Sequence, residues 1–150
     1  MNYKITSRSE EDTMEFAENL ESEKFPGMVI CLDGELGSGK TVFVKGFAKA
    51  LGIKETITSP TFSLVKEYLN GEMPLYHMDL YRVDNASDDF GLADYLNQDA
   101  VCIIEWPEMM ENDLPAERLD IKIKVIDENT RVLIVTPYGQ QYEDLCQAVL

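Results

Sequence analysis

Residues Gly34-Glu35-Leu36-Gly37-Ser38-Gly39-Lys40-Thr41 spell G-x-x-x-x-G-K-T, and this pattern restricts the fold more than any other feature of the chain. Its surroundings match what the pattern requires. Met28-Val29-Ile30-Cys31-Leu32 precedes it as a short apolar run rich in strand formers. Val42, Phe43, Phe47, Ala48 and Leu51 follow at helical spacing until Gly52 ends the run. The spacing predicts a strand, a glycine loop and a helix in succession.

The chemistry follows from the residue types. Gly34, Gly37 and Gly39 permit positive φ and place no Cβ in the way, so successive backbone N–H groups can curl around a phosphate. The start of the helix adds unpaired donors and the positive end of its dipole. Lys40 is suited to bridge β- and γ-phosphates, and the Thr41 hydroxyl is suited to Mg²⁺. Gly37, Ser38, Gly39, Lys40, Thr41 and Val42 are thus the expected contacts of a bound nucleoside triphosphate.

The 150 residues suit one domain with a real core. They carry 28 acidic against 13 basic side chains, a formal net charge of −15 spread along the sequence. That balance disfavours direct contact with a nucleic-acid backbone or an anionic membrane, and it would suit a basic protein partner. No apolar run reaches the length of a membrane helix, and Met1-Asn2-Tyr3-Lys4 lacks a signal-peptide core. Cys31, Cys102 and Cys146 fit neither a disulfide framework nor a zinc site. Reduced core thiols and a cytoplasmic setting are expected.

In chain order, Tyr3 to Thr6 reads as a strand. Ser9 and Asp12 open a helix expected to bury Met14, Ala17 and Leu20 or near neighbours. Phe62 to Leu69 alternates as a strand, Asn70-Gly71 signals a hairpin, and Leu75 to Met78 returns. Ser87 is placed as the cap of a helix carrying Phe90, Leu92, Tyr95 and Leu96. Ala100 to Ile104 is continuously apolar, the mark of a strand covered on both faces. Leu119 to Ile126 and Arg131 to Thr136 form a second hairpin, and a last helix carries Tyr142, Leu145, Cys146 and Val149. The expected fold is α/β: a single-domain P-loop NTPase, residues 1–150, whose mixed parallel and antiparallel sheet is flanked by helices.

A nucleotide with Mg²⁺ needs a protein oxygen near the metal, commonly at the end of a buried strand. Glu105 follows the most apolar run and is the first choice; Asp79, after the hairpin strand, competes. Asp79 is otherwise suited to polarise an attacking water or to hold the metal's outer shell. Thr61, in Ser59-Pro60-Thr61-Phe62, stands where a loop could close over a γ-phosphate or remain an ordinary turn. Arg82 could neutralise transition-state charge, though an ion pair with a nearby carboxylate is favoured. His77, the sole histidine, is expected to pack in its strand. Trp106 reads as core or interface, kept near the nucleotide by Glu105, and Lys45 and Lys49 as an exposed helix face.

The glycine loop, Ser59-Pro60-Thr61-Phe62, His77-Met78-Asp79-Leu80-Tyr81-Arg82 and Ile104-Glu105-Trp106-Pro107, in that order, resemble the bacterial TsaE family across nearly the whole chain. The resemblance implies an ATPase of the tRNA threonylcarbamoyladenosine system, working with TsaD and TsaB and reaching tRNA only through that complex. It implies ATP and Mg²⁺ as cofactors, Thr41 and Glu105 at the metal, and Asp79, Glu105 and Thr61 in the catalytic site. Trp106 would lie near them, and Thr6-Ser7-Arg8 near the adenine. With a strongly acidic chain, docking on a basic partner surface that also receives tRNA is expected, so the two would compete. A small-molecule kinase is disfavoured because the segment Asn85 to Asn97 is acidic and holds no arginine. A GTP-dependent switch is disfavoured because no Asn-Lys-x-Asp segment occurs.

Overall fold

The computed structural model of the chain describes residues 2–58, 64–80, 92–96 and 98–150. The strands are β1 (Tyr3–Ser7), β2 (Val29–Asp33), β3 (Val65–Tyr68), β4 (Leu75–Asp79), β5 (Val101–Glu105), β6 (Arg118–Val125) and β7 (Arg131–Tyr138). The helices are α1 (Glu10–Glu21), α2 (Lys40–Ala50), α3 (Leu92–Leu96) and α4 (Gln140–Val149), with a 3-10 helix at Pro107–Asp113. All seven strands join one sheet in the order β1-β7-β6-β2-β5-β4-β3. The inner strands β6, β2, β5 and β4 run parallel, while β7, β1 and β3 add antiparallel edges. The fold is the mixed α/β sheet that the two hairpins and the buried apolar runs predict.

The covered strands explain their own sequences. β2 and β5 occupy the middle of the sheet with apolar side chains on both faces, so neither alternates. β6 and β7 do alternate, with Leu119, Ile121, Ile123, Leu133 and Val135 buried. On that buried face lie α1, α2 and α4, contributing Phe16, Leu20, Phe43, Phe47, Tyr142 and Leu145 to the larger core. A smaller core of Val29, Cys31, Met78, Leu80 and Ile104 fills the other face, against Tyr95, Leu96 and Leu114.

The capping signal in α1 acts with a shift. Ser9 accepts the Asp12 N–H at 3.1 Å, but the Asp12 carboxylate reaches back to the Arg8 N–H at 2.9 Å rather than to that of Ser9. The buried face of α1 is set by Thr13, Phe16, Ala17 and Leu20, with Met14 only half-buried. On α2, Val44 is buried and Val42 half-buried. α1 and α2 touch where Gly46 meets Met14, and a Cβ there would lie 2.7 Å from Met14 Cα. Ser59 to Phe62, Tyr81, Arg82, Ser87 and Phe90, singled out above, lie outside the described residues.

Candidate functional site

Because β2 is central and parallel to both neighbours, the loop after it opens at the end of the sheet where β5 and β4 also finish. In an α/β sheet, such a crevice beyond the strand ends is where ligands gather. Gly37 has φ 80° and Gly39 φ 110°, a left-handed conformation that turns the loop and that a side chain would strain. A Cβ at either position would meet nothing within 4 Å, so the backbone faces open space there. Gly34 has the opposite reason to be glycine. A Cβ on it would lie 2.6 Å from Ser38 Oγ and 2.9 Å from the Ile123 carbonyl.

Lys40 begins α2 and is only 5% exposed. Its ammonium donates to the Gly34 carbonyl and lies 3.9 Å from the centroid of the Trp106 ring. Burial pushes its pKa below the ordinary lysine value, against the opposing pull of Glu105, Asp79, Asp33 and Glu108. A desolvated ammonium that donates to a backbone carbonyl and feels the charge of nearby carboxylates is well suited to take a phosphate oxygen. The Ser38 hydroxyl, 1% exposed, has no hydrogen-bond partner among the described residues.

The two carboxylates picked from sequence end up side by side. Asp79 and Glu105 are register partners on the parallel strands β4 and β5, and Leu32 on β2 is the partner of Glu105 on its other side. Partners in register project to the same face. Glu105 is 3% exposed, and its Oε2 meets Nε2 of His77, which is fully buried. His77 does pack in its strand as expected, but it also holds this carboxylate. Its other ring nitrogen, Nδ1, has no partner among the described residues. Trp106 follows with φ 58°, the one described non-glycine residue at positive φ. Thr41 is half-buried in the first turn of α2.

Beside the loop lies a cavity of about 210 Å³ lined by Ser9, by Glu10 and Thr13 of α1, by Gly37 to Gly39 and Val42, and by Glu128, Asn129 and Arg131 from the β6–β7 hairpin. Thr6 sits one strand-face away: it is exposed on β1, opposite Val132, and does not line this cavity. Sequence reading did not single out Arg131, whose Nε donates to the Ser38 carbonyl at 3.0 Å. Only its place at the foot of a hairpin could have hinted at that role. Thr61 and Arg82 lie outside the described residues.

A sequence model of the family described as "Threonylcarbamoyl adenosine biosynthesis protein TsaE" matches residues 7–133. The chain belongs to the TsaE family. A TsaE relative from Bacillus subtilis (strain 168) is 48% identical over 122 residues, which cover 81% of this chain and 77% of the relative. One from Treponema pallidum (strain Nichols) is 40% identical over 134 residues, covering 88% and 98%. Both are named "tRNA threonylcarbamoyladenosine biosynthesis protein TsaE". A crystal structure of Bacillus subtilis YdiB matches with a TM-score of 0.88 at 39% identity, over 99% of this chain and 94% of that one. The described parts of the TsaE motifs read from the sequence therefore sit on a shared fold, with the glycine loop, Asp79 and Glu105 at one end of the sheet. No described helix of this TsaE protein is long and apolar enough to cross a membrane.

Proposed function

We propose that the protein binds ATP with Mg²⁺ at residues Gly34 to Val42 and hydrolyses it as a component of the tRNA threonylcarbamoyladenosine machinery, acting on a TsaD–TsaB complex. The observation that carries this reading is the open backbone cradle at Gly37 and Gly39 beside the buried ammonium of Lys40. The Ser38 hydroxyl, unpartnered among the described residues, adds a polar atom suited to a phosphate oxygen. The residues present fit the group.

In this reading Gly37, Ser38, Gly39 and Val42 line the polyphosphate with backbone donors, and Lys40 supplies its positive charge. Thr41 and Glu105 are the oxygens for Mg²⁺, a hard cation that keeps few protein ligands beside phosphate and water. The metal's contribution is to neutralise charge on the phosphoryl oxygens. Asp79 orients the attacking water, which needs hydrogen-bond reach rather than a strongly raised pKa. Thr61 senses the γ-phosphate, and Trp106 closes the site beside Lys40. The adenine takes the cavity between α1 and the β6–β7 hairpin, near the Thr6 segment.

Positioned charge is the main catalytic resource of such sites, so a chain lacking one stabilising group is slow until a partner supplies it. ATP turnover measured with and without TsaD–TsaB tests this. Weak turnover alone and stimulation by the complex are expected; equal turnover contradicts the partner role. The acidic chain would share a basic partner surface with tRNA, so added tRNA should weaken its binding to the complex at fixed low salt.

A further inference from the structure

The β6–β7 hairpin sends one side chain into the glycine loop. Arg131, at the start of β7, donates from Nε to the Ser38 carbonyl at 3.0 Å and from one terminal nitrogen to the Gly37 carbonyl at 3.5 Å. Its other terminal nitrogen is held by the hairpin itself, donating to the carbonyls of Asp127 at 2.7 Å and Thr130 at 3.1 Å. That hairpin loop is in turn shaped by the Asp127 carboxylate, which accepts the N–H groups of Asn129 at 3.0 Å and Thr130 at 2.8 Å. One planar guanidinium thus ties a rigid turn to two successive carbonyls of the loop that precedes α2.

We propose that Arg131 is a positioning residue of the phosphate loop: its hold on the Ser38 carbonyl fixes the Gly39 N–H of the same peptide unit for an anion, and its hold on the Gly37 carbonyl steadies the turn that the Ser38 N–H closes onto the Glu35 carbonyl at 3.0 Å. The argument is geometric. No peptide bond described is cis, and in a trans peptide the N–H points opposite to its C=O. A donor that fixes the Ser38 oxygen therefore fixes the direction of the Gly39 N–H. The glycines are free to turn those units over, and ordering them costs conformational entropy. A cation on the carbonyl also polarises the whole unit and strengthens its N–H as a donor. Lysine is a poor substitute, since its three donors radiate from one nitrogen and cannot reach the loop carbonyls on one side and the hairpin carbonyls on the other as the planar fork does. The inference rests on the polyphosphate reading above for its purpose, but its geometry can be tested without any ligand.

The test compares wild type, Arg131→Ala and Arg131→Lys. In the ligand-free protein, amide hydrogen exchange at Ser38, Gly39 and Lys40 is followed by NMR, with Ile123 and Leu133 in the sheet as controls. Loss of charge-assisted bonds should speed exchange in the loop by about tenfold or more in Arg131→Ala, with little recovery in Arg131→Lys. Unchanged loop exchange, or equal acceleration at the sheet controls, overturns the inference. Calorimetry then measures Mg-ATP and inorganic tripolyphosphate. Both should weaken by the same factor, roughly tenfold. A loss confined to ATP would make Arg131 a contact of the base and overturn the positioning role. Failure of the wild type to bind either ligand would sink the nucleotide reading, while loop exchange still decides the role of Arg131.

Discussion

The ammonium of Lys40 lies 3.9 Å from the centroid of the Trp106 ring, directly after the carboxylate of Glu105 in the chain. Such a contact is worth about 0.5–2 kcal/mol, too little to hold the lysine against a polyphosphate. Drawing Lys40 onto phosphate would change the ring's surroundings, and Trp106 is the sole tryptophan of the chain. Saturating Mg-ATP should therefore shift or quench the intrinsic emission, and Lys40→Ala should abolish the response. Unaltered wild-type emission at saturation would contradict the placement of Trp106 in the site.

Gly34 and Gly46 separate binding from stability. Alanine at Gly34 would press its Cβ to 2.6 Å from Ser38 Oγ and 2.9 Å from the Ile123 carbonyl, so the loop has to move. Alanine at Gly46 would stand 2.7 Å from Met14 Cα and carbonyl oxygen, forcing α1 from α2 at a cost of about 1–3 kcal/mol. Thermal unfolding and calorimetry together should find Gly34→Ala defective in Mg-ATP binding. Gly46→Ala should melt earlier yet bind normally where folded. Normal binding by Gly34→Ala would refute the requirement for close packing there.

Asp79 and Glu105, side by side in register, should fail differently. Asp79→Ala is expected to keep Mg-ATP binding while turnover falls by roughly 10²–10⁴, the usual share of a positioned acid–base group. Glu105→Ala should lose the increment in affinity that Mg²⁺ adds. Calorimetry with and without Mg²⁺, beside phosphate release, checks both. An Asp79→Ala variant with unimpaired turnover would remove it from the reaction.

The glycine loop was legible because its chemistry is local: strand, turn and helix adjoin within about two dozen residues. Glu105 was legible because a strand buried on both faces has no polar alternation, and a carboxylate at its end stands out. Three contacts were not. The His77–Glu105 pair depends on the parallel register of β4 and β5, which leaves no periodic trace. Tyr142, whose hydroxyl accepts the Val29 N–H at 2.8 Å, reads from sequence only as an apolar position on α4. Arg131 reaches Ser38 across 93 positions, and a side chain donating to a distant carbonyl has no sequence signature.

Burial also sets the behaviour of the thiols. It pushes Cys102 up to about 12 and Cys146 up to about 11, and it raises Cys31 as well. In the unfolded chain these thiols ionise near their ordinary value of 9.0, so above it the folded chain holds protons that the unfolded one has lost. Their contribution is therefore complete below pH 9 and lost as pH rises through the folded values. At pH 8 a thiol-specific chromogenic reagent should react with none of the 3 cysteines until denaturant is added. A thiol modified at mixing speed in the native protein would contradict this.

The most direct test of the account is titration calorimetry of Mg-ATP into wild type and Lys40→Ala, both verified as folded. Wild type should bind with Mg²⁺-dependent affinity, and removal of the buried ammonium should weaken binding by about tenfold or more. Absence of wild-type binding, or equal affinity in the variant, would contradict it.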